Sequence, residues 1–446
     1  MVPLCSERCD RQGIHCCDAC GRVGFSMEVV RFALIFAVLT PFAAAQEATA
    51  DRDRVFASYG YLKTLAGVGD DDDKNFWKGS FEGALGREVE LSNPHMTMAD
   101  TAGNFYIADK ESHSVLRLDR EGRIHTHAGT HVAGLNGEEG RATEIQLDNP
   151  NGLFVRPDGV VYILDFFNQR IRRVDREGQL TTLLHDPSGF GPGRGLWVSP
   201  DEQLIYFNGP NQVKRWTPNG GVEVVVSYLT DPGNLTVDPN GALVVTSRAG
   251  DGSTGTSHRV YRVGADGELT VIAGNGTTNE PTTDGVPATS VGLESARSVA
   301  FLSSGGFFVA TQKGGDVWYV DVDGLIWRFV SGAPRGNVRN GDGQRFSTPG
   351  DKIAEPRAVA LAPNGDLIIT TNDNGYIRVV ERFQTPEVNV VSRESLHLRV
   401  TAGREHRVET SVDLKTWSTW QALEPGITEA TLSDLPSGRP FLRVAW

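Results

Sequence analysis

Three arginines, Arg194, Arg297 and Arg357, each open a short apolar alternation in the 446-residue sequence, at places matched elsewhere by His95, Asn151 and Gly233. A guanidinium presents a planar fork of N–H donors that suits carboxylate or phosphate groups, so arginines gathered at one point make an anion site. The opposing expectation pairs them with acidic neighbours such as Asp231, Glu294, Glu355 or Asp373, because clustered arginines need partners. Asp109, Asp165 and Asn208 close strand-like runs and are followed by His113, Asn168 and Asn211. That spacing is open to a catalytic dyad and equally to Asx side chains bonding the backbone of their own turns. His125, His127 and His131 read HxHxxxH; a metal could use them, but they fall on a predicted outermost strand and its exit, where a surface cluster is expected. Asp70 to Asp73 before Lys74 reads as a solvated acidic loop, with weak calcium binding as its other use. P-loop, GxSxG, HExxH and dinucleotide fingerprints are absent.

These residues are positioned by an internal repeat. Residues 93–129 (NPHMTMADTAGNFYIADKESHSVLRLDREGRIHTHAG) and 149–184 (NPNGLFVRPDGVVYILDFFNQRIRRVDREGQLTTLL) match in proline, turns and alternation, and looser copies begin at Pro192, Pro232, Ala296 and Pro356. Each copy parses as four short strands with period-2 alternation, separated by turns rich in Gly, Asp and Asn. A four-stranded unit has two apolar faces and cannot bury either alone, so six copies must stack radially. The expected fold is all-β, a six-bladed β-propeller. The sixth copy runs out after three strands near Phe383, whereas an orphan strand at 61–67 (YLKTLAG) precedes the first copy and matches the outermost strand ending at 271–274 (VIAG). It is expected to complete blade six and close the ring, which removes exposed sheet edges.

In an antiparallel meander the long connections collect on one face and the tight turns on the other. The long-loop face is where a ligand is expected, with His95, Asn151, Arg194, Gly233, Arg297 and Arg357 bordering the central channel there.

The Pro-x-Gly or Pro-x-Ala starts, the YIAD and YILD strand ends at Asp109 and Asp165, and the Ala-Gly exits at Gly129 and Gly274 resemble the NHL repeat family. More broadly they resemble six-bladed gluconolactonase-like and senescence-marker-like proteins, over about residues 61–383. Gluconolactonase-like enzymes hold a divalent metal at the channel mouth, and Pro150-Asn151-Gly152 is similar to one of their metal-ligand segments. The resemblance implies Asn151 as a ligand, with Asp231 or Glu355 serving from one step away because the equivalent acidic positions are absent. Such oxygen ligands suit Ca2+ or another divalent cation, which would polarise a carbonyl and activate water. Two functions follow as expectations. One is binding of a small anionic or sugar-like ligand, or of a protein segment, at the loop-rich face; the alternative is a metal-dependent hydrolase or lyase of the sugar-acid lactonase kind.

With 39% hydrophobic residues, 51 glycines and 22 prolines the composition is that of a globular, turn-rich chain. A net charge of -13 argues against nucleic acid or an anionic membrane surface as the main partner. The apolar run 32–42 is too short for a transmembrane helix. Arg31 precedes it and Ala43 to Ala45 follow, the layout of a secretory signal peptide cleaved after Ala45 and read best from Met27. Residues 1–26 are then a leader or a start-site artefact. Cys5, Cys9, Cys16, Cys17 and Cys20 all lie there beside His15, without the paired CxxC spacing of a zinc site. The expected organisation is 27–45 signal peptide, 46–60 linker, 61–385 propeller and 386–446 a small β-domain. The last resembles, through RVETSVDLKTW at 407–417 and FLRV at 441–444, a domain appended to exported proteins of environmental bacteria. The expected location is secreted or periplasmic.

Overall fold

The computed structural model describes residues 50–69, 74–191, 193–248, 255–371 and 375–383, together with strand segments between 387 and 445. The leader, the signal segment, the cysteines, the acidic run 70–73, Pro192 and Asp373 lie outside the described residues. Among the described residues no helix is long and apolar enough to cross a membrane.

Six antiparallel sheets form a six-bladed β-propeller. The innermost strands, in blade order, are Pro94–Ala99, Pro150–Val155, Leu196–Val198, Pro232–Val237, Ala296–Phe301 and Pro356–Leu361. Alternation buries one side of each strand against the neighbouring blade, and mixed clusters such as Val161, Ile163, Leu116 and Val115 show the blades sharing cores. Blades two and five carry a fifth edge strand, Glu139–Arg141 and Val286–Pro287, contributed by the long interblade loops. These loops carried no alternating apolar pattern, because an edge strand facing solvent needs none.

Closure follows the expected scheme. Tyr59–Ala66 pairs antiparallel with Tyr376–Arg382 as the outermost strand of blade six. The ring is sealed further upstream than the sequence suggested: residues 50–58, within the expected linker, are helical. Val55 is buried in one cluster with Tyr59, Phe308 and Phe346, and Phe56 packs edge-on against Tyr319, Phe329 and Phe346. The N-terminal strand is equivalent to the fourth strands in a second way. Gly67, Gly129 and Gly274 end such strands at positive φ, and a Cβ there would collide with the carbonyls of Gly375, His113 and His258 respectively. The Ala-Gly exit therefore reports one repeated close approach between the fourth strand and the turn before the third.

The turn before each third strand holds a left-handed residue: His113, Gln169, Asn211 and His258, with glycine in blades five and six. Another left-handed residue precedes five innermost strands, namely Asn93, Asn149, Asp231, Ser295 and Glu355. Three blades latch to the next by the same bond. The backbone N–H of Asn149, Asp231 and Ser295 donates to His113 Nδ1 (3.2 Å), Asn211 Oδ1 (3.2 Å) and His258 Nδ1 (3.0 Å).

The C-terminal segments form two three-stranded sheets. Glu387–Ser392, Ser395–Arg399 and Glu429–Ser433 make one; Ser418–Leu423, His406–Ser411 and Phe441–Ala445 make the other. Leu398, Val408 and Leu423 are buried in its small core.

Candidate functional site

At the long-loop end of the axis, His95, Asn151, Arg194 and Arg297 are all buried, and Arg357 is half-buried. His95, Asn151, Arg297 and Arg357 each follow the first residue of their innermost strand, at a bulge in the ladder between the first and third positions, which turns the intervening residue towards the hub; Arg194 lies two residues before the strand Leu196–Val198. His95 Nδ1 donates to Asn151 Oδ1, and His95 Nε2 accepts from Arg194 Nη2 at 3.2 Å. This network fixes the neutral, Nδ1-protonated tautomer. Burial, then the charges of Arg194 and Arg357, hold the His95 pKa well below its ordinary value. Asn151 Nδ2 in turn donates to the Gly193 carbonyl at 3.5 Å.

Arg297 donates through Nη1 to the neutral Gln312 amide, while its Nε is buried without a hydrogen-bond partner among the described residues. Burial lowers its pKa well below the ordinary arginine value, assisted by the charges of Arg194, Arg248 and Arg357; Asp231 opposes them. The charges that act most strongly on this guanidinium are those of Arg194, Arg248 and Arg357, with the Asp231 carboxylate opposing them. That carboxylate is already taken, because Arg248 Nη2 is ion-paired with Asp231 Oδ1. Arg248 and Gln312 were not legible as hub residues. Both stand one position beyond the second strands of their blades, Leu243–Ser247 and Phe307–Thr311, and that shared place in the repeat is the signal that would have found them.

Two members of the expected cation ligand set already have partners. Asn151 Oδ1 is engaged by His95, and Asp231 by Arg248. Among the described residues no group of three or more His, Cys, Asp or Glu is assembled for a metal. Of the expected set Asn151, Asp231 and Glu355, the first two thus each have an oxygen already engaged within the hub.

The strand-end acids serve their own blades. Asp109 Oδ1 accepts from the Ser92 N–H at 2.7 Å, and Asp165 Oδ1 from the Asp148 N–H at 2.8 Å. Asp165 also accepts from Asn168 and from buried Arg172 Nε at 3.0 Å. Asn208 Nδ2 donates to the Gly233 carbonyl at 2.6 Å. With His113 and Asn211 acting as interblade latches, no dyad forms. The histidine string is also divided. His125 meets Glu82 and Asp119, His127 packs edge-on against Tyr106, and His131 stacks on Trp77 at 4.2 Å.

Two buried carboxyls make stability depend on pH. Burial pushes Asp109 up to about 7 and Glu280 up to about 8. A raised folded-state pKa means the native chain keeps a proton that the unfolded chain has released. The stabilisation is complete below the ordinary carboxyl pKa and is lost as pH rises through the folded value. Histidines with depressed values, such as His95 and His258, act on the acid side and are neutral in both states above about pH 7. Urea midpoints measured from pH 7 to 9 are therefore expected to fall, by at most about 1.4 kcal/mol per pH unit for each proton. Glu280→Gln keeps the acceptor for the Glu294 N–H, which lies 2.6 Å from Glu280 Oε1, and is expected to flatten the decline. An equal decline in that variant would assign it elsewhere.

No family model matches the chain. Teneurin-1 of Homo sapiens is 24% identical over 331 residues, covering 67% of this chain and 11% of that protein. The chain thus spans about a tenth of this relative. Among solved structures, a protein of unknown function from Bacteroides thetaiotaomicron superposes with a TM-score of 0.56 at 11% identity, covering 72% of this chain and 75% of that one. An auxiliary nutrient binding protein from the same organism gives 0.50 at 16% identity, covering 72% and 76%. At such identities the likeness is one of fold, the fold that the NHL and gluconolactonase-like resemblance implied. Topology and likeness together place this chain among the six-bladed β-propellers.

Proposed function

We propose that the protein is an exported binding propeller that captures a small anionic or sugar-acid ligand at the long-loop mouth of its central channel. The observation that supports the reading is the gathering of arginines at the hub: buried Arg297 feels the charges of Arg194, Arg248 and Arg357, and its hydrogen-bond partner is the neutral amide of Gln312. In low-dielectric surroundings clustered guanidiniums favour an incoming anion, and an arginine fork gives it direction. A neighbour of the same fold is described as a nutrient binding protein, which accords with capture rather than chemistry. Export rests on the signal-peptide layout of residues 27–45.

Calorimetric titration at low ionic strength with succinate, gluconate and inorganic phosphate tests the proposal, with Ca2+ and a small panel of lactones as controls. At least one anion is expected to bind saturably, with affinity falling as salt is added. Saturable calcium binding accompanied by lactone turnover, or no heat with any anion, would overturn it.

A further inference from the structure

The opposite end of the same axis has a different character. In the ladders, Met98, Phe154, Trp197, Thr236, Ala300 and Ala360 hold one register position, each paired with the second strand of its own blade at Tyr106, Tyr162, Tyr206, Val244, Phe308 and Ile368. Four blades place a sizeable side chain there, whereas blades five and six place alanine. The missing volume leaves a pit of about 160 Å³, lined from all six innermost strands and bordered in the last two blades by Phe301 and Leu361. Met98, Phe154, Trp197, Thr236, Phe301 and Leu361 are each half-buried, so the wall is held by packing yet open to solvent on the tight-turn side.

The pit is separated from the cationic mouth. At the hub the innermost strands approach so closely that a Cβ on Gly152 would collide with the Arg194 carbonyl, and one on Gly233 with the Arg297 carbonyl. Between the two ends runs a belt of polar bonds: Asn234 Nδ2 donates to Ser298 Oγ at 3.1 Å, and Ser298 Oγ accepts from the Val359 N–H at 3.0 Å. These groups are satisfied by one another and form a floor.

From this geometry we infer that the pit is a second ligand site, specific for a small molecule built on a single aromatic ring with at most one small polar group. The size limits the part that enters to one ring, because a cavity of about 150 Å³ lined by apolar side chains holds one benzene ring. The lining disfavours sugars, because Met98, Phe154 and Leu361 offer their hydroxyls no partners and Asn234, which also lines the pit, is engaged by Ser298 and the Leu235 N–H. Three aromatic side chains on the wall, Phe154, Trp197 and Phe301, offer the edge and offset contacts that a ring prefers over an aliphatic chain. Thr236 adds one hydroxyl at the wall, which suits a phenol. This site is independent of the anion mouth and does not rest on it.

Ligand-observed fluorine NMR of 4-fluorophenol with the full chain tests the inference. A saturable shift is expected, weakened roughly 10-fold or more by Thr236→Phe, which fills the pit, and by Phe301→Ala, which removes a wall. Thermal melting establishes that each variant is folded, and if Thr236→Phe does not fold then Phe301→Ala decides. The inference is overturned by a shift that does not saturate up to the solubility limit, or by folded variants that bind as the parent does. Displacement of the probe by succinate would likewise overturn it, since that ligand addresses the other mouth.

Discussion

A chain lacking residues 50–66 will not unfold cooperatively as the full protein does, and most of it will be recovered as aggregate. Blade six owns only three consecutive strands, Pro356–Leu361, Leu367–Thr371 and Tyr376–Arg382. Its fourth comes from the other end of the propeller sequence, so the ring has no covalent closure at this point and relies on that pairing. Truncation exposes the edge of Tyr376–Arg382 and strips the cover from a core in which Val55, Tyr59 and Leu62 are buried with Phe308 and Val380. An open apolar edge is a template for aggregation. Each large side chain lost from such a core costs about 2 to 5 kcal/mol, and a domain has only about 5 to 15 kcal/mol in hand. The graded version is Leu62→Ala, expected to lower urea stability by about 2 to 4 kcal/mol without altering the fold. If the truncated chain melts within a few degrees of the parent, the strand is an ornament and the ring is held otherwise.

Arg297→Gln is expected to weaken anion binding while leaving the protein as stable or more so. These opposite signs separate a binding residue from a structural one. Arg297 bears a buried charge whose strongest neighbours are like charges, and its resolved partner, Gln312, is neutral. Replacing the guanidinium by an amide removes the repulsion and keeps a polar group facing Gln312. A buried charge without a counter-ion carries a desolvation cost of several kcal/mol that a neutral amide does not. Binding moves the other way, because a charge-assisted hydrogen bond contributes about 1.5 to 3 kcal/mol, or roughly 10- to 100-fold in affinity. Arg215→Gln, which breaks an exposed pair with Glu223, is the control and should change neither quantity appreciably. A loss of about 2 kcal/mol or more in Arg297→Gln with unchanged succinate affinity would mark the arginine as a scaffold residue.

The blade count, the strand phases and the N-terminal clasp were legible because they depend on period-2 burial and on glycines at one repeated close approach, both written locally in the chain. The positions that border the hub were legible for the same reason: a repeat unit assigns equivalent residues equivalent places. Partners were not. Arg248 and Gln312 lie in the same blades as their partners Asp231 and Arg297, but 15 or more residues away at the far end of the second strand, and nothing local in the sequence marks either pairing. The fifth strands of blades two and five and the helix at 50–58 escaped because solvent-facing edges and a short packed turn carry little periodic signal.

Local chemistry along the chain thus settled which segments are strands, how many sheets they make and which side chains reach the axis, since backbone pleat and turn geometry act over a few residues. Which of those side chains meet each other, and which are paired, was decided only when six sheets met. The sign of a site's field is a sum over charges brought together by folding from distant parts of the sequence, and it changes with each pair that neutralises itself on the way.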